Sequence, residues 1–547
     1  MATIAELMER RSRLILLVGV PLVILLALVR SDLDTVLRFD DAFMFWRYAL
    51  HLRDGWGMVW NVGGAPTYGL TSQLWVYFVL PFTYTGLEPG RALQIASLLM
   101  GLAGLAIGAL AITGSRVRLV IYLALVVLLL AIPPFAFHLT TGMDTMLGFA
   151  TNAALVAALE RWRGQRPGGA SLVGVAAFVT ILARPENVLV AFGVPGLTWL
   201  LLSPRRTLHE AALMLGLPAL LLAADLALCQ WVYGTALPLS FYAKSGAAYE
   251  GFLNRENPIR YMANAVPAIL PSLALWLVYG RGQGRYLLVM ALPVLATVLY
   301  LSSVHQIMGF KGRYYMPFVP FLLLPAARVA AEGLGRRASL PVPKLWWTLA
   351  VPAAVLVLLT GKQALNAAEA TWLNHTLPAP VPQSTPIITA RTPLPTLKPT
   401  QGWTTVAHRI ASRLPHGAVL AASEVGAIGG YAPQLPIIDL AGLNDPEIGL
   451  QGFSADRLVA RAPDLIWLPH EDYTGARAAL LRSHAFRQHY RLLWGAFDHG
   501  LAIRVDGPQT AAITKLVDEA WRSTYPGFDQ RDYAARWPAS QAMPPAS

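Results

Sequence analysis

Long apolar runs alternate with short polar, often basic, breaks as far as about residue 361. A helix needs about 17–25 apolar residues to cross a bilayer. Runs of that length or close to it occur at 14–30, 91–113, 117–134, 145–160, 170–183, 187–202, 208–232, 261–279, 285–304, 314–333 and 345–361. The pattern predicts about eleven transmembrane helices. A twelfth apolar stretch, 71–86, is short, rich in interface aromatics and interrupted by Pro81, and reads as an interfacial or re-entrant helix. The first run follows Arg10, Arg11 and Arg13. A cleaved signal peptide is the alternative there, but no small-x-small site follows, so an uncleaved first helix is expected.

Charge then orients the spans. The N-terminal arginines predict a cytoplasmic N-terminus. Arg116 and Arg118, Arg161, Arg163 and Arg166, Arg205 and Arg206, Arg281 and Arg285, and Arg336, Arg337 and Lys344 fall on that same side if 71–86 does not cross. The C-terminal part is then extracytoplasmic. Composition agrees: 55% hydrophobic and 14% charged residues, with a mean hydropathy of +0.48, exclude an ordinary soluble protein. The basic loops explain much of the net charge of +12, so no nucleic-acid partner is expected. The single cysteine, Cys229, excludes a disulfide within the chain.

Beyond the spans the pattern changes. Residues 372–400 are rich in Pro and Thr and read as a linker. Residues 401–525 read as a soluble α/β domain, with helices at 403–414 and 475–483 and strands at 418–422, 436–440, 464–468, 492–494 and 501–505. The glycines of Glu-Val-Gly-Ala-Ile-Gly-Gly (424–430) predict a turn; the stretch matches no dinucleotide or phosphate loop. Residues 526–547 read as a flexible tail. The expected fold class is thus a polytopic α-helical membrane domain (1–371, with outer loop 31–90) carrying a C-terminal soluble α/β domain.

On this topology the polar clusters collect at the outer face. They are Asp40-Asp41, Thr-Thr-Gly-Met-Asp ending at Asp144, Arg184-Pro-Glu186, Pro-Leu-Ser-Phe-Tyr-Ala-Lys with Tyr242 and Lys244, and the segment from His305 through Lys311, Arg313 and Tyr314. Ionisable groups converging at one membrane surface point to a site. Each has a plainer reading. Asp40-Asp41 suits a solvated loop, although the Trp46, Arg47 and Tyr48 that follow favour function. Asp144 suits a cap on the helix beginning at Thr145. Arg184 and Glu186 suit an ion pair across a helix break. Lys244 suits solvent, Arg313 and Tyr314 suit interface anchors, and His305 suits a structural position. His51 and His138 lack ligand spacing, so no metal site is expected among them. A divalent cation near Asp40 and Asp41 is the one cofactor the pattern admits. Asp225, inside a span, is an exception to the clustering.

The runs Asp-Asp-Ala-Phe-Met-Phe-Trp-Arg-Tyr-Ala, Gly-Trp-Gly-Met-Val-Trp-Asn and Tyr-Gly-Leu-Thr-Ser-Gln-Leu-Trp together resemble the first outer loop of bacterial GT-C-fold glycosyltransferases. Thr-Gly-Met-Asp-Thr, Ala-Arg-Pro-Glu, Pro-Leu-Ser-Phe-Tyr-Ala-Lys, Gly-Arg-Tyr-Tyr-Met-Pro and Asp-Leu-Ala-Gly-Leu-Asn-Asp (439–445) are similar in order to pieces of the mycobacterial terminal β-(1→2) arabinofuranosyltransferase group. The resemblance implies a multi-pass enzyme of the bacterial inner membrane, embedded in the lipid bilayer. It would use a polyprenyl-phosphate-linked sugar donor and an envelope glycan or glycolipid acceptor at the extracytoplasmic face. Arabinofuranose is the leading sugar. It also implies that Asp40 or Asp41, with Asp40 favoured, is the base. Cations suit the departing phosphate: Arg184, Lys244, Lys311 and Arg313 are the candidates, and Arg184, Lys244 and Arg313 are expected to hold it. Arg47, Asp144, Glu186, Tyr242, His305, Lys311 and Tyr314 are further site candidates. Trp46, Trp56 and Trp60 either stack on sugar or pack the loop, packing being expected of at least two. The stretch Gly-Gly-Ala-Pro-Thr-Tyr-Gly (63–69) departs from the pattern of the relatives. A transporter and a non-catalytic envelope assembly protein are the competing classes.

Overall fold

The computed structural model of the protein describes residues 39–112, 116–203, 207–245, 256–303, 306, 309–337, 408–470, 473–493, 497 and 500–524. The expected spans 14–30 and 345–361, the linker 372–400, the tail 526–547 and His305 lie outside them. The chain divides into two compact units: one takes the described residues of 94–224 and 255–378, the other those of 35–93, 225–254 and 379–547.

The first unit is helical. Among the described residues five helices are long and apolar enough to cross a membrane: Pro89–Ala111, Pro185–Leu202, Leu208–Tyr233, Pro258–Tyr279 and Gly284–Ser302. All five fall on expected spans. Val117–Ala131 and Gly169–Ala183 are shorter apolar helices. The expected span 314–333 is instead two pieces, Phe310–Phe318 and Pro320–Leu334, bent by 53° at the break. Pro317 and Pro320 flank that break and remove backbone donors there. The expected span 117–134 likewise stops at Ala131, and a separate short helix, Pro133–His138, follows.

Glycines set the closest approaches. A Cβ on Gly104 would lie 2.9 Å from the Ala150 Cα, and one on Gly101 would lie 3.1 Å from the Met146 sulfur. The small-residue stripe of Pro89–Ala111 therefore lets the helix Thr145–Arg163 pack backbone to backbone. Phe135 and Phe149, both fully buried, meet edge to face with ring centroids 5.4 Å apart.

The second unit is built on a five-stranded sheet: β1 (Leu420–Ala422), β2 (Ile437–Asp439), β3 (Leu465–Trp467), β4 (Tyr490–Leu493) and β5 (Leu501–Arg504). The order is β2-β1-β3-β5-β4. β1 pairs in parallel with β2 and β3, and β5 runs antiparallel to β3 and β4. β1, β2 and β3 are buried along their whole length, as expected of strands covered on both faces. The helix Thr510–Thr524 buries Ile513, Leu516, Val517, Ala520 and Trp521, the spacing of one helical face. The five strands fall on the five expected strand positions.

The same unit takes in the helix Asp40–Arg53 and the loop after it. Asn61 closes the free edge of β2. Its amide accepts from the Ile437 N–H and donates to the Ile437 carbonyl, both at 2.9 Å, as a neighbouring strand would.

Candidate active site

Asp40 and Asp41 open the helix Asp40–Arg53, where the aligned peptide dipoles favour negative charge. Asp40 is buried. Its Oδ2 accepts from the Gly426 N–H at 2.7 Å and its Oδ1 from the Ala427 N–H at 2.9 Å. Residues 424–430, expected as a turn, hold the short helix Gly426–Tyr431, and Asp40 binds the donors of its first turn.

The glycines of that segment now have a physical reason. A Cβ on Gly426 would lie 1.8 Å from the Asp40 carbonyl oxygen, one on Gly429 2.9 Å from Arg47 Cδ, and one on Gly430 2.8 Å from Phe43 Cβ. Spacings of three and four place these glycines on one helical face. Asp40, Phe43 and Arg47 lie on the facing stripe of the other helix.

Arg47 is fully buried in this contact. It donates to the carbonyls of Trp60 (2.7 Å), Leu435 (2.8 Å), Ala432 (3.1 Å) and Gly429 (3.3 Å) and to Asn61 Oδ1 (3.1 Å). Its guanidinium lies 4.6 Å from the Trp60 ring centroid. Burial pushes its pKa down to about 9. Arg47 therefore ties together backbone that sequence separates by nearly four hundred residues. Trp46 and Trp60 are packed inside, whereas Trp56 is 49% exposed between Gly55 and Gly57, both at positive φ.

The 439–445 motif belongs to the same contact. Tyr48 donates to Asn444 Oδ1 at 3.1 Å, and the Asn444 amide donates to Asp439 at 2.9 Å. Burial raises Asp439 to about 7, against the opposing pull of donors from Asn444 and Ala441. Tyr242 and Lys244 are half-buried on the helix Leu239–Ser245, whose first N–H donates to the Tyr68 carbonyl at 2.8 Å.

In the helical unit a second acid is held differently. Asp144 precedes the helix Thr145–Arg163, but its side chain does not cap it. Instead Oδ1 accepts from Arg184 Nη1 at 2.8 Å and from Arg313 Nη2 at 3.2 Å. Arg184 also reaches Glu186, with Nε 2.7 Å from Oε1. Both guanidinium groups lie about equally far from the Tyr314 ring, at 5.4 and 5.5 Å. Burial works against the charge of Arg184, but Asp144 and Glu186 outweigh it and hold the guanidinium above its ordinary value. A Cβ on Gly148 would meet Arg184 Cδ at 2.6 Å, so only glycine leaves room for this arginine.

Lys311 stands at the rim of this cluster in a left-handed backbone conformation, with Nζ 3.9 Å from the Phe137 ring centroid. His138, passed over for lack of ligand spacing, belongs here too. It is buried, with Nε2 3.1 Å from the Lys311 carbonyl, and burial pushes its pKa down to about 3, helped by Arg313, Lys311 and Arg184. The ring is thus neutral among cations. Nothing in the spacing of His138 along the sequence signals this; only the fold brings it to Lys311. Asp144 Oδ2 is buried and has no hydrogen-bond partner among the described residues.

The structure therefore gathers Asp144, Arg184, Glu186, Lys311, Arg313 and Tyr314 in one unit, and Asp40, Asp41, Arg47, Tyr242 and Lys244 in the other. Among the described residues no three His, Cys, Asp or Glu side chains group as metal ligands do. Buried guanidinium groups backed by carboxylates suit the binding of an oxyanion, because their charge and orientation are set before it arrives.

Residues 396–518 match a family model described as a domain of unknown function (DUF8728). No curated protein matches the chain. The crystal structure of ArnT from Cupriavidus metallidurans in the apo state is similar at a TM-score of 0.55 and 15% identity, covering 90% of this chain and 99% of that one. The structure of the same protein bound to undecaprenyl phosphate gives a TM-score of 0.49 and 13% identity over the same shares. On the apo comparison, the chain shares the fold of that structure.

Proposed function

We propose that the protein is a membrane glycosyltransferase that moves a sugar from a polyprenyl-phosphate donor to an envelope glycan or glycolipid at the extracytoplasmic face of a bacterial inner membrane. The observation that carries this reading is the cluster on Asp144, where two buried arginines converge on one carboxylate within an ArnT-like fold. Fold likeness alone does not assign chemistry, so the proposal rests on what these residues can do.

Transfer requires a base for the acceptor hydroxyl and positive charge for the departing phosphate. Arg184 and Arg313, with Lys244, hold the phosphate. Asp41 is the base. Both carboxylate oxygens of Asp40 already accept backbone N–H groups, whereas Asp41 keeps part of its surface exposed. Arabinofuranose is the first sugar to test, on the resemblance of the loop motifs.

The test is transfer by the full chain in lipid nanodiscs, using radiolabelled polyprenyl-phosphate pentoses and hexoses with envelope acceptors. Wild type should transfer one of them. Asp41→Asn should lower the rate by about 10²–10⁴-fold with its melting temperature kept. Undiminished transfer by Asp41→Asn would remove it from the chemistry. Transfer unaffected by Arg184→Gln and Arg313→Gln would remove the phosphate role.

A further inference from the structure

Asp225 lies well inside the apolar helix Leu208–Tyr233, half-buried, in the unit that also carries residues 39–93. Acids at such depth are costly and usually paired. The other acids on these helices are paired: Glu160 with Arg328 and Tyr286, Glu332 with Arg118 and Gln283, and Glu210 with Trp162 and Ser203. Asp225 has no hydrogen bond or ion pair among the described residues.

Its surroundings are polar without being cationic. One turn on, Cys229 is buried, with Sγ 3.6 Å from Gln73 Nε2. The Tyr68 ring stacks on Tyr233 with centroids 5.1 Å apart. Asp225, Cys229 and Tyr233 recur at spacings of four, on one face of this helix, which is the face that Gln73 and Tyr68 cover.

This set excludes two ligand classes. A phosphate would meet a carboxylate with no Arg or Lys among the described residues of the cluster to offset it. A metal ion would find one carboxylate where it needs several hard ligands. Hydroxyl groups remain. Each can donate to a carboxylate and accept from an amide or phenol, and aromatic faces cover the C–H faces between them.

We propose that Asp225, Gln73, Tyr68 and Tyr233 form a sugar-binding subsite that receives the vicinal hydroxyls of a glycosyl group. The assignment rests on the glycosyltransferase reading for its biological ligand, but not for its test. Tyr68 and Gln73 belong to the loop motif Tyr-Gly-Leu-Thr-Ser-Gln, so the subsite couples that motif to an acid nothing else in the described fold uses.

The experiment measures binding of a panel of methyl pentosides and hexosides to the full chain in nanodiscs by calorimetry, without any donor. Wild type should bind at least one. Asp225→Ala and Gln73→Ala should weaken that binding by about tenfold or more, as expected for loss of a hydrogen bond to a charged group. Asp225→Asn, which keeps an acceptor, should fall between. No glycoside binding by wild type, or equal binding by the variants, would overturn the proposal. So would a change of oligomeric state in Asp225→Leu with glycoside affinity intact, which would make Asp225 the partner of a cation on another membrane helix. In parallel transfer assays, Asp225→Ala should raise the KM of the sugar-bearing substrate bound there more than it lowers kcat. If wild type binds glycosides but transfers no sugar, the enzyme reading fails and the subsite stands.

Discussion

Asp40 and Asp144 are both buried acids ahead of or at the start of a helix, and the protein uses them in opposite ways. Asp40 meets uncharged donors, the N–H groups of Gly426 and Ala427. Asp144 meets charged ones, the guanidinium groups of Arg184 and Arg313, with an exposed lysine and an aromatic ring at hand. The first arrangement saturates the carboxylate and joins two pieces of backbone. The second leaves one oxygen without a partner and holds cations in place. An acid in a conspicuous motif can thus be a fold residue, while an acid that looks like a helix cap can organise the candidate site.

The largest expected effect is at Asp144. Asp144→Ala removes the carboxylate that two buried guanidinium groups share, leaving Glu186 to pair Arg184, and should cost about 3–5 kcal/mol, read as a drop in thermal stability in detergent or nanodiscs. A loss below about 1 kcal/mol would mean that the arginines are solvated and the contrast with Asp40 is void. Next comes Asp40→Ala, which orphans two buried N–H groups and should cost about 2–3 kcal/mol. Asp41→Ala should cost less than about 1 kcal/mol yet abolish transfer. Equal stability losses in the two variants would erase the distinction drawn between the adjacent acids.

The last expected effect is one of pH dependence, at Asp439. Its folded pKa of about 7 lies above the ordinary carboxylate value, so the folded state binds this proton more tightly than the unfolded chain. The resulting stability is full below about pH 4 and is lost as pH rises through about 7, with a slope of at most about 1.4 kcal/mol per pH unit. Asp439→Asn should flatten that slope in pH-dependent unfolding. A slope unchanged in the variant would place the titration elsewhere.

Much of the fold was legible because its signals are local. Apolar runs such as 91–113 and 208–232 and strands such as 464–468 report burial directly in composition. The bend at Pro317 and Pro320 was present in the residues, but the run around them was apolar enough to read as one span. Three separate motifs in the sequence carry Asp144, Arg184 and Arg313, but not their geometry: a cap and a guanidinium clamp are equally compatible with Asp before Thr145. The Gly-rich 424–430 segment reads as a turn in the sequence because its partner, the face of Asp40, Phe43 and Arg47, lies almost four hundred residues earlier.

Sequence alone determined which stretches are apolar, where the basic loops fall and where the strands of the C-terminal domain begin, since each depends on neighbours within a dozen residues. Tertiary structure decided which acid has both oxygens on backbone donors and which is only partly buried. The bond from Gly426 to Asp40 spans 386 residues, and no local pattern records a donor at that distance. The same holds for Arg47 and for His138, whose roles are set by carbonyls and cations that only the folded chain brings near.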